Sequence, residues 1–210
     1  MNDKKLILHL CADTGSDSRP YQLSDQYEVI RVGSDIGVEN FFSPPNVYGI
    51  FANPVCTEFS VAPSNRNRDF DKGMFLVNEC LRIINEAKAY GALKFWVIEN
   101  PATGKLKDFL GAPVYAYEPW WYGSPWTKRT ALRGEFNIPK RIYTSWEDVP
   151  KLPNLYTRPG RGKPSLAFMH KSATSLIPEF VEAGFNPDSD MEFRSLCSQK
   201  FAKAFFEVNQ

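Results

Sequence analysis

Two short segments hold side chains that could do covalent chemistry. Asn53-Pro54-Val55-Cys56-Thr57-Glu58-Phe59-Ser60 carries a cysteine among turn-forming residues. A thiol there is a nucleophile once its proton is accepted or its pKa lowered. Glu99-Asn100-Pro101 puts a carboxylate and an amide where a strand is expected to stop, a pairing suited to general acid–base work on a bound ligand. A plainer reading stands beside each. Loop cysteines are more often inert than reactive, and a carboxylate just past a strand often only caps a helix. The two gain weight if the fold brings them together. Cysteines 11, 56, 80 and 197 form no CxxC or Cys/His cluster, which argues against a zinc site and against a disulfide scaffold, so no metal is expected. Cys11, Cys80 and Cys197 read as small buried hydrophobes. His9 and His170 are too isolated to propose as catalytic.

Delivering both segments to one place requires a scaffold, and the flanking sequence supplies it. Lys5 to Cys11 is a short apolar run closed by Ala12-Asp13-Thr14-Gly15-Ser16, the pattern of a buried parallel strand ending in a turn. Similar runs over 27–32, 47–52 and 94–98 stop at Gly33-Ser34-Asp35, Asn53-Pro54 and Glu99-Asn100-Pro101. The spacing predicts a helix over 70–90, with Met74, Val77, Leu81 and Ile84 on one face. Strands alternating with helical or longer connections predict an α/β fold, a doubly wound, Rossmann-like parallel sheet. Such sheets bind ligands beyond the carboxyl ends of their strands. The segment 109–134 reads as short strands and tight turns. The Pro- and Gly-rich stretch 138–164 reads as a surface excursion rather than packed elements. Residues 198–207 predict a last helix, with Ser198 as N-cap and Phe201, Ala202 and Phe205 as its buried stripe.

These residues, in this order, resemble the cytosine-5 DNA methyltransferase family. Asn53 to Ser60 is similar to that family's Pro-Cys-x-x-Phe-Ser loop, and Glu99-Asn100-Pro101 to its Glu-Asn-Val motif. Tyr122-Gly123-Ser124-Pro125, followed by Lys128, Arg129 and Arg133, resembles its Tyr-Gly-x-Pro-Gln-x-Arg-x-Arg segment. Leu10 to Ser16 is similar to the family's cofactor loop, and the final helix lies where its last motif folds back onto that loop. The resemblance implies an S-adenosylmethionine-dependent methyltransferase fold, with Cys56 adding to C6 of cytosine and Glu99 protonating N3. Arg129 or Arg133 would hold O2 or a phosphate, and which of Lys128, Arg129 and Arg133 takes that contact stays open. It implies a cofactor site built from Cys11, Asp13, Thr14, Gly15, Asp35, Asn53 and Pro54, with Asp13 or Asp35 as the ribose acid. The substrate side would include Ser60, Asn100, Lys128, Arg158 and Lys163. Val55 replaces the proline beside the nucleophile, and Trp126 stands where glutamine is usual.

Bulk properties bound the partners. At 210 residues and a formal charge of +1 the chain suits one domain: a core over 1–137, a basic excursion over 138–192 and a returning helix over 193–210. Charge is uneven, with ten basic and three acidic residues between Ser124 and Ser175. That segment is either a solvated face or a phosphate-contacting surface. DNA, read with weak sequence specificity, is the expected partner, because only about sixty residues separate Arg133 from Phe193 and leave little to specify base edges. A separate protein supplying target recognition is compatible with that brevity. No apolar run is long enough for a membrane span, and the start lacks a signal peptide, so the expected location is cytoplasmic. Two other readings remain: a catalytically degenerate fold that binds nucleic acid or nucleotide, and the same chemistry on a free pyrimidine nucleotide or RNA. Trp120, Trp121 and Trp126 read as core or sheet-edge packing in preference to base stacking.

Overall fold

A computed structural model describes residues 4–12, 14–60 and 67–210. The four apolar runs form β1 (Lys5–Leu10), β2 (Tyr27–Val32), β3 (Val47–Ala52) and β4 (Phe95–Pro101), all parallel. β5 (Tyr115–Tyr117) and β6 (Thr130–Glu135) complete a six-stranded sheet ordered β2-β1-β3-β4-β6-β5. β6 runs antiparallel to both of its neighbours. The helices are α1 (Arg19–Gln22), α2 (Phe70–Tyr90), α3 (Lys107–Leu110), α4 (Pro178–Glu182), α5 (Asp190–Ser195) and α6 (Gln199–Val208). This is an α/β architecture with a mostly parallel, Rossmann-like sheet. β4 extends three residues beyond the expected stop, so Glu99 lies inside the strand, paired with Leu132 of β6.

Both faces of the sheet are covered, which is why Leu6 through Leu10 are all buried. α2 covers one face. Its Asp69 cap accepts from the Lys72 amide at 2.9 Å, it ends at Gly91 with φ +80°, and it buries Val77, Cys80, Ile83, Ile84 and Ala87. The last four pack on Leu8, Leu10, Ile50, Ala52 and Ile98. α6 covers the other face, where Phe201, Ala202 and Phe205 pack on Ile7, Phe51, Phe95, Val97 and Leu132. Burying each such large side chain stabilises by about 1.5–3 kcal/mol. The Ser198 hydroxyl accepts from the Phe201 amide at 3.1 Å, as its sequence position predicts.

Residues 138–164 form no helix or strand and are mostly exposed, as expected of a surface excursion, but the chain after them packs. Leu155, Leu166, Met169, Ala173, Ile177, Phe180 and Phe193 close around Trp126, which is fully buried. Short 3-10 turns at Leu166–Phe168 and Lys171–Leu176, and a helix opened by Pro178, carry these side chains. None is long enough to print a period on the sequence. Among the described residues, no helix is long and apolar enough to cross a membrane.

Candidate active site at the strand ends

β1 connects to β2 on one side of the sheet, while β3 and β4 lie on the other. The crossing between β1 and β3 is therefore a topological switch point, where loops diverge and leave a crevice. The loop after β1, the Cys56 loop after β3 and the end of β4 meet there.

Cys56 sits in a tight turn, its carbonyl accepting from the Phe59 and Ser60 amides at 3.0 and 2.9 Å. Phe59 anchors the turn in a pocket with Val77 and Leu106. Gly73 of α2 permits that approach, since a Cβ there would stand 2.9 Å from the Phe59 ring. Asn100, on the α2 face of the sheet and opposite Glu99, fixes the turn as well, its amide donating to the Pro54 carbonyl at 3.4 Å. Asn100 thus positions the loop that bears the thiol. Burial pushes the Cys56 thiol up, the neighbouring Glu99 charge adds to this, and Lys128 opposes it. Desolvation likewise raises the Glu99 carboxyl. Lys128 works against that, Asp17 adds to it, and donors from Asn53 and Thr130 oppose it. Cys56 and Glu99 therefore share one electrostatic field at adjacent strand ends.

A partly buried polar chain supports them. Asn53 Nδ2 donates to Asp17 Oδ2 at 3.2 Å and to Glu99 Oε2 at 3.4 Å. The Asn53 amide thus turns its NH2 toward these two carboxyl oxygens and its own oxygen toward His9. His9 Nε2, 2.7 Å from Asn53 Oδ1, then carries the proton. Nδ1, 2.7 Å from Ser18 Oγ, accepts from that hydroxyl in the neutral ring. His9 and Asp17 are additions to the expected set. The signal for His9 was a polar residue near the end of an otherwise apolar, fully buried strand, where parallel sheets place their ligands. Nothing local marks Asp17.

Other expected residues separate. Lys128 is half-buried and donates to the Ser195 and Leu196 carbonyls at 2.7 and 3.1 Å, while its charge reaches Glu99 and Cys56. Arg129 is exposed. Arg133 leaves the site: it pairs with Ile98, on the sheet face opposite Glu99, and its buried Nε donates to the Gly111 carbonyl at 3.1 Å. Side chains alternate along a strand, so one residue's step decides the face. Cys11 adopts a left-handed φ of 54°, with its sulfur 3.8 Å from Cys80 Sγ rather than in the crevice. Thr14 Oγ1 lies 3.0 Å from Ser16 Oγ. Gly15 has φ +66°, and a Cβ there would meet Arg31 Nε at 2.9 Å. The Arg31 guanidinium lies over the turn, with Nη2 donating to the Ala12 carbonyl at 3.0 Å. Asp35 is exposed, and Asp13 lies outside the described residues. Arg158 stacks over Phe168 and Lys163 over Trp120, both in the excursion.

α6 closes the crevice from below. The Cys197 amide donates to Ser16 Oγ at 3.0 Å, and Gln199 Nε2 to the Ser16 carbonyl at 3.0 Å. Asp17, Asn53 and Glu99 thus stand above Phe51, Phe201 and Phe205 around a recess with room for about one water. No protein-family model and no curated protein sequence matches the chain.

Proposed function

We propose that this chain methylates C5 of cytosine in DNA, with Cys56 as nucleophile and Glu99 as acid, on an S-adenosylmethionine-dependent methyltransferase fold. The observation that carries the reading is the delivery of a thiol and an up-shifted carboxyl from β3 and β4 into one field. A carboxyl raised by burial keeps its proton to higher pH than an ordinary glutamate, which suits hydrogen bonding and proton donation to N3 of a cytosine ring. As N3 takes that proton, the Cys56 thiolate adds to C6 and C5 becomes electron-rich. Lys128 favours the thiolate. Asn53 holds Glu99 in place, and His9 fixes the orientation of Asn53. Once C5 carries the methyl group, its proton passes to solvent water, Cys56 departs as thiolate and N3 returns its proton to Glu99, which restores the ring.

The polar groups at the crevice suit S-adenosylmethionine, although the recess beside Asp17 has room for about one water and must open to admit it. Gly15, with its left-handed φ, lets backbone approach closely, and exposed Asp35 can accept from an adenine amine. Asp17 can take a cationic group, and the Asn53-Pro54 backbone flanks the same crevice. Bound there, the cofactor supplies a methyl group on a sulfonium. The chain's own task is to keep Arg31 aside, because that exposed guanidinium now covers Gly15. The same covering favours the second reading, a chain that binds nucleic acid without turnover.

Two experiments separate these readings. DNA containing 5-fluorocytosine, incubated with protein and S-adenosylmethionine, should give a covalent adduct, because fluorine blocks the final elimination. Cys56→Ser should abolish it. Calorimetry with millimolar S-adenosylmethionine should give heat. Its absence, together with no adduct, would leave the binding-only reading.

A further inference from the structure

Three indoles gather on the excursion side of β6. Trp120 lies 5.9 Å from Trp121 and 6.2 Å from Trp146, ring centre to ring centre, both edge-on. All three are half-buried, in contrast to Trp126, which is wholly inside. A cation stands over each. Arg141 Cζ is 3.4 Å from the Trp121 ring centre, Lys163 Nζ is 4.6 Å from Trp120, and Lys151 Nζ is 4.2 Å from Trp146. Glu147, bonded to Ser145, and Glu118 are the acids facing the cluster. Glu118 also joins it to the strand-end site: it accepts from the Lys128 amide at 3.1 Å and feels the charges of Arg129 and Lys163.

We infer that this Trp120–Trp121–Trp146 surface, with Arg141 and Lys163, seats single-stranded DNA leading to Cys56; the inference rests on the reading above and names its substrate form. Indoles interleaved with cations match a strand whose bases expose flat faces beside phosphates. A duplex hides those faces within its own stack. Base readout in a duplex commonly lays a helix or a two-stranded ribbon in the major groove. Between β6 and Pro164 the described chain has neither, and α4 and α5, five and six residues long, contribute Phe180 and Phe193 to the Trp126 cluster. A base must also leave its stack to meet a half-buried thiol, and a single strand presents it already unstacked. Net positive charge over 124–175 complements the phosphates.

The test is binding of a fluorescein-labelled oligodeoxynucleotide, single-stranded or annealed to its complement, by anisotropy and indole quenching across a salt series, using Cys56→Ser protein. The single strand should bind about ten-fold or more tighter than the duplex near 0.15 M salt, with quenching. Trp120→Ala and Trp146→Ala should each weaken it about ten-fold, Trp120→Phe should restore most of the affinity, and Arg141→Gln should lower the salt slope. Equal or tighter duplex binding, stronger binding of the matching RNA, or unchanged affinity in both alanine variants with native circular dichroism would overturn the inference. Because no chemistry is needed, a failed 5-fluorocytosine trap leaves this result readable. A duplex-preferring protein that still traps would sink this inference alone.

Discussion

Asp17→Asn should stabilise the protein at neutral and alkaline pH. Asp17 Oδ2 and Glu99 Oε2 both accept from Asn53 Nδ2, at 3.2 and 3.4 Å. The two oxygens are therefore at most about 6.6 Å apart, the two distances laid end to end, and with an effective dielectric of about 20 their charges, when both are ionised, repel by at least about 2.5 kcal/mol. Lys128 and the Asn53 amide offset part of this, so a net gain of about 1–2 kcal/mol is expected, or ~2–8 °C in Tm for a chain of this size. Asparagine keeps the shape and an accepting oxygen. The pH dependence has a defined sign. Burial raises the Glu99 carboxyl above its ordinary 4.5, so the folded state holds that proton more tightly than the unfolded one. Its ionised form costs stability above the raised folded pKa, and the cost fades as pH falls through that value toward 4.5. Urea unfolding from about pH 5 to pH 8.5 should thus show the variant's advantage growing with pH. A variant no more stable at the alkaline end, or equally favoured at both ends, would refute the coupling of Asp17 and Glu99.

Two further outcomes follow from the same field and loop. Alkylation of Cys56 by iodoacetamide, followed by peptide mass spectrometry, should inflect above the ordinary thiol pH because burial and Glu99 both raise its pKa. Glu99→Gln should move the inflection down and Lys128→Met should move it up, and an unmoved or reversed inflection in either variant would contradict the shared field. Arg31→Ala should tighten S-adenosylmethionine binding by about 2- to 10-fold in calorimetry, the equivalent of no longer breaking one modest hydrogen bond to Ala12; weaker binding would mean that Arg31 holds the ligand.

The legible part of the fold was the part with a period. β1 to β4 are continuous apolar runs bounded by turn residues, and α2 carries a stripe over six turns, so their bounds emerge almost to the residue except at the end of β4, which runs three residues on to Pro101. β5 has three residues, too few for alternation to be visible, and the Trp126 cluster is assembled by turns whose apolar residues follow no repeat. At the site, Cys56 and Glu99 were marked by local motifs. The link from His9 through Asn53 to Asp17 was not, because Asn53 lies more than thirty residues from both and the β1–β3 pairing brings it beside them. Arg133 shows the opposite failure. Its type and spacing suited a phosphate or O2 contact, but register sent it to the α2 face, while Thr130 and Leu132 took the face of Glu99.

The bonds from Cys197 and Gln199 to Ser16, and from the Tyr21 hydroxyl to the Asn209 carbonyl at 3.0 Å, tie the first crevice loop to a helix made nearly two hundred residues later. On the ribosome, β1 and its loop emerge early and must wait, unset, until α6 has been synthesised and docked. The same linkage operates in the finished molecule. Any ligand that grips the 14–18 loop also holds α6 down, and each transient lifting of α6 releases its grip on the ligand. Occupancy and helix docking therefore rise and fall as one equilibrium.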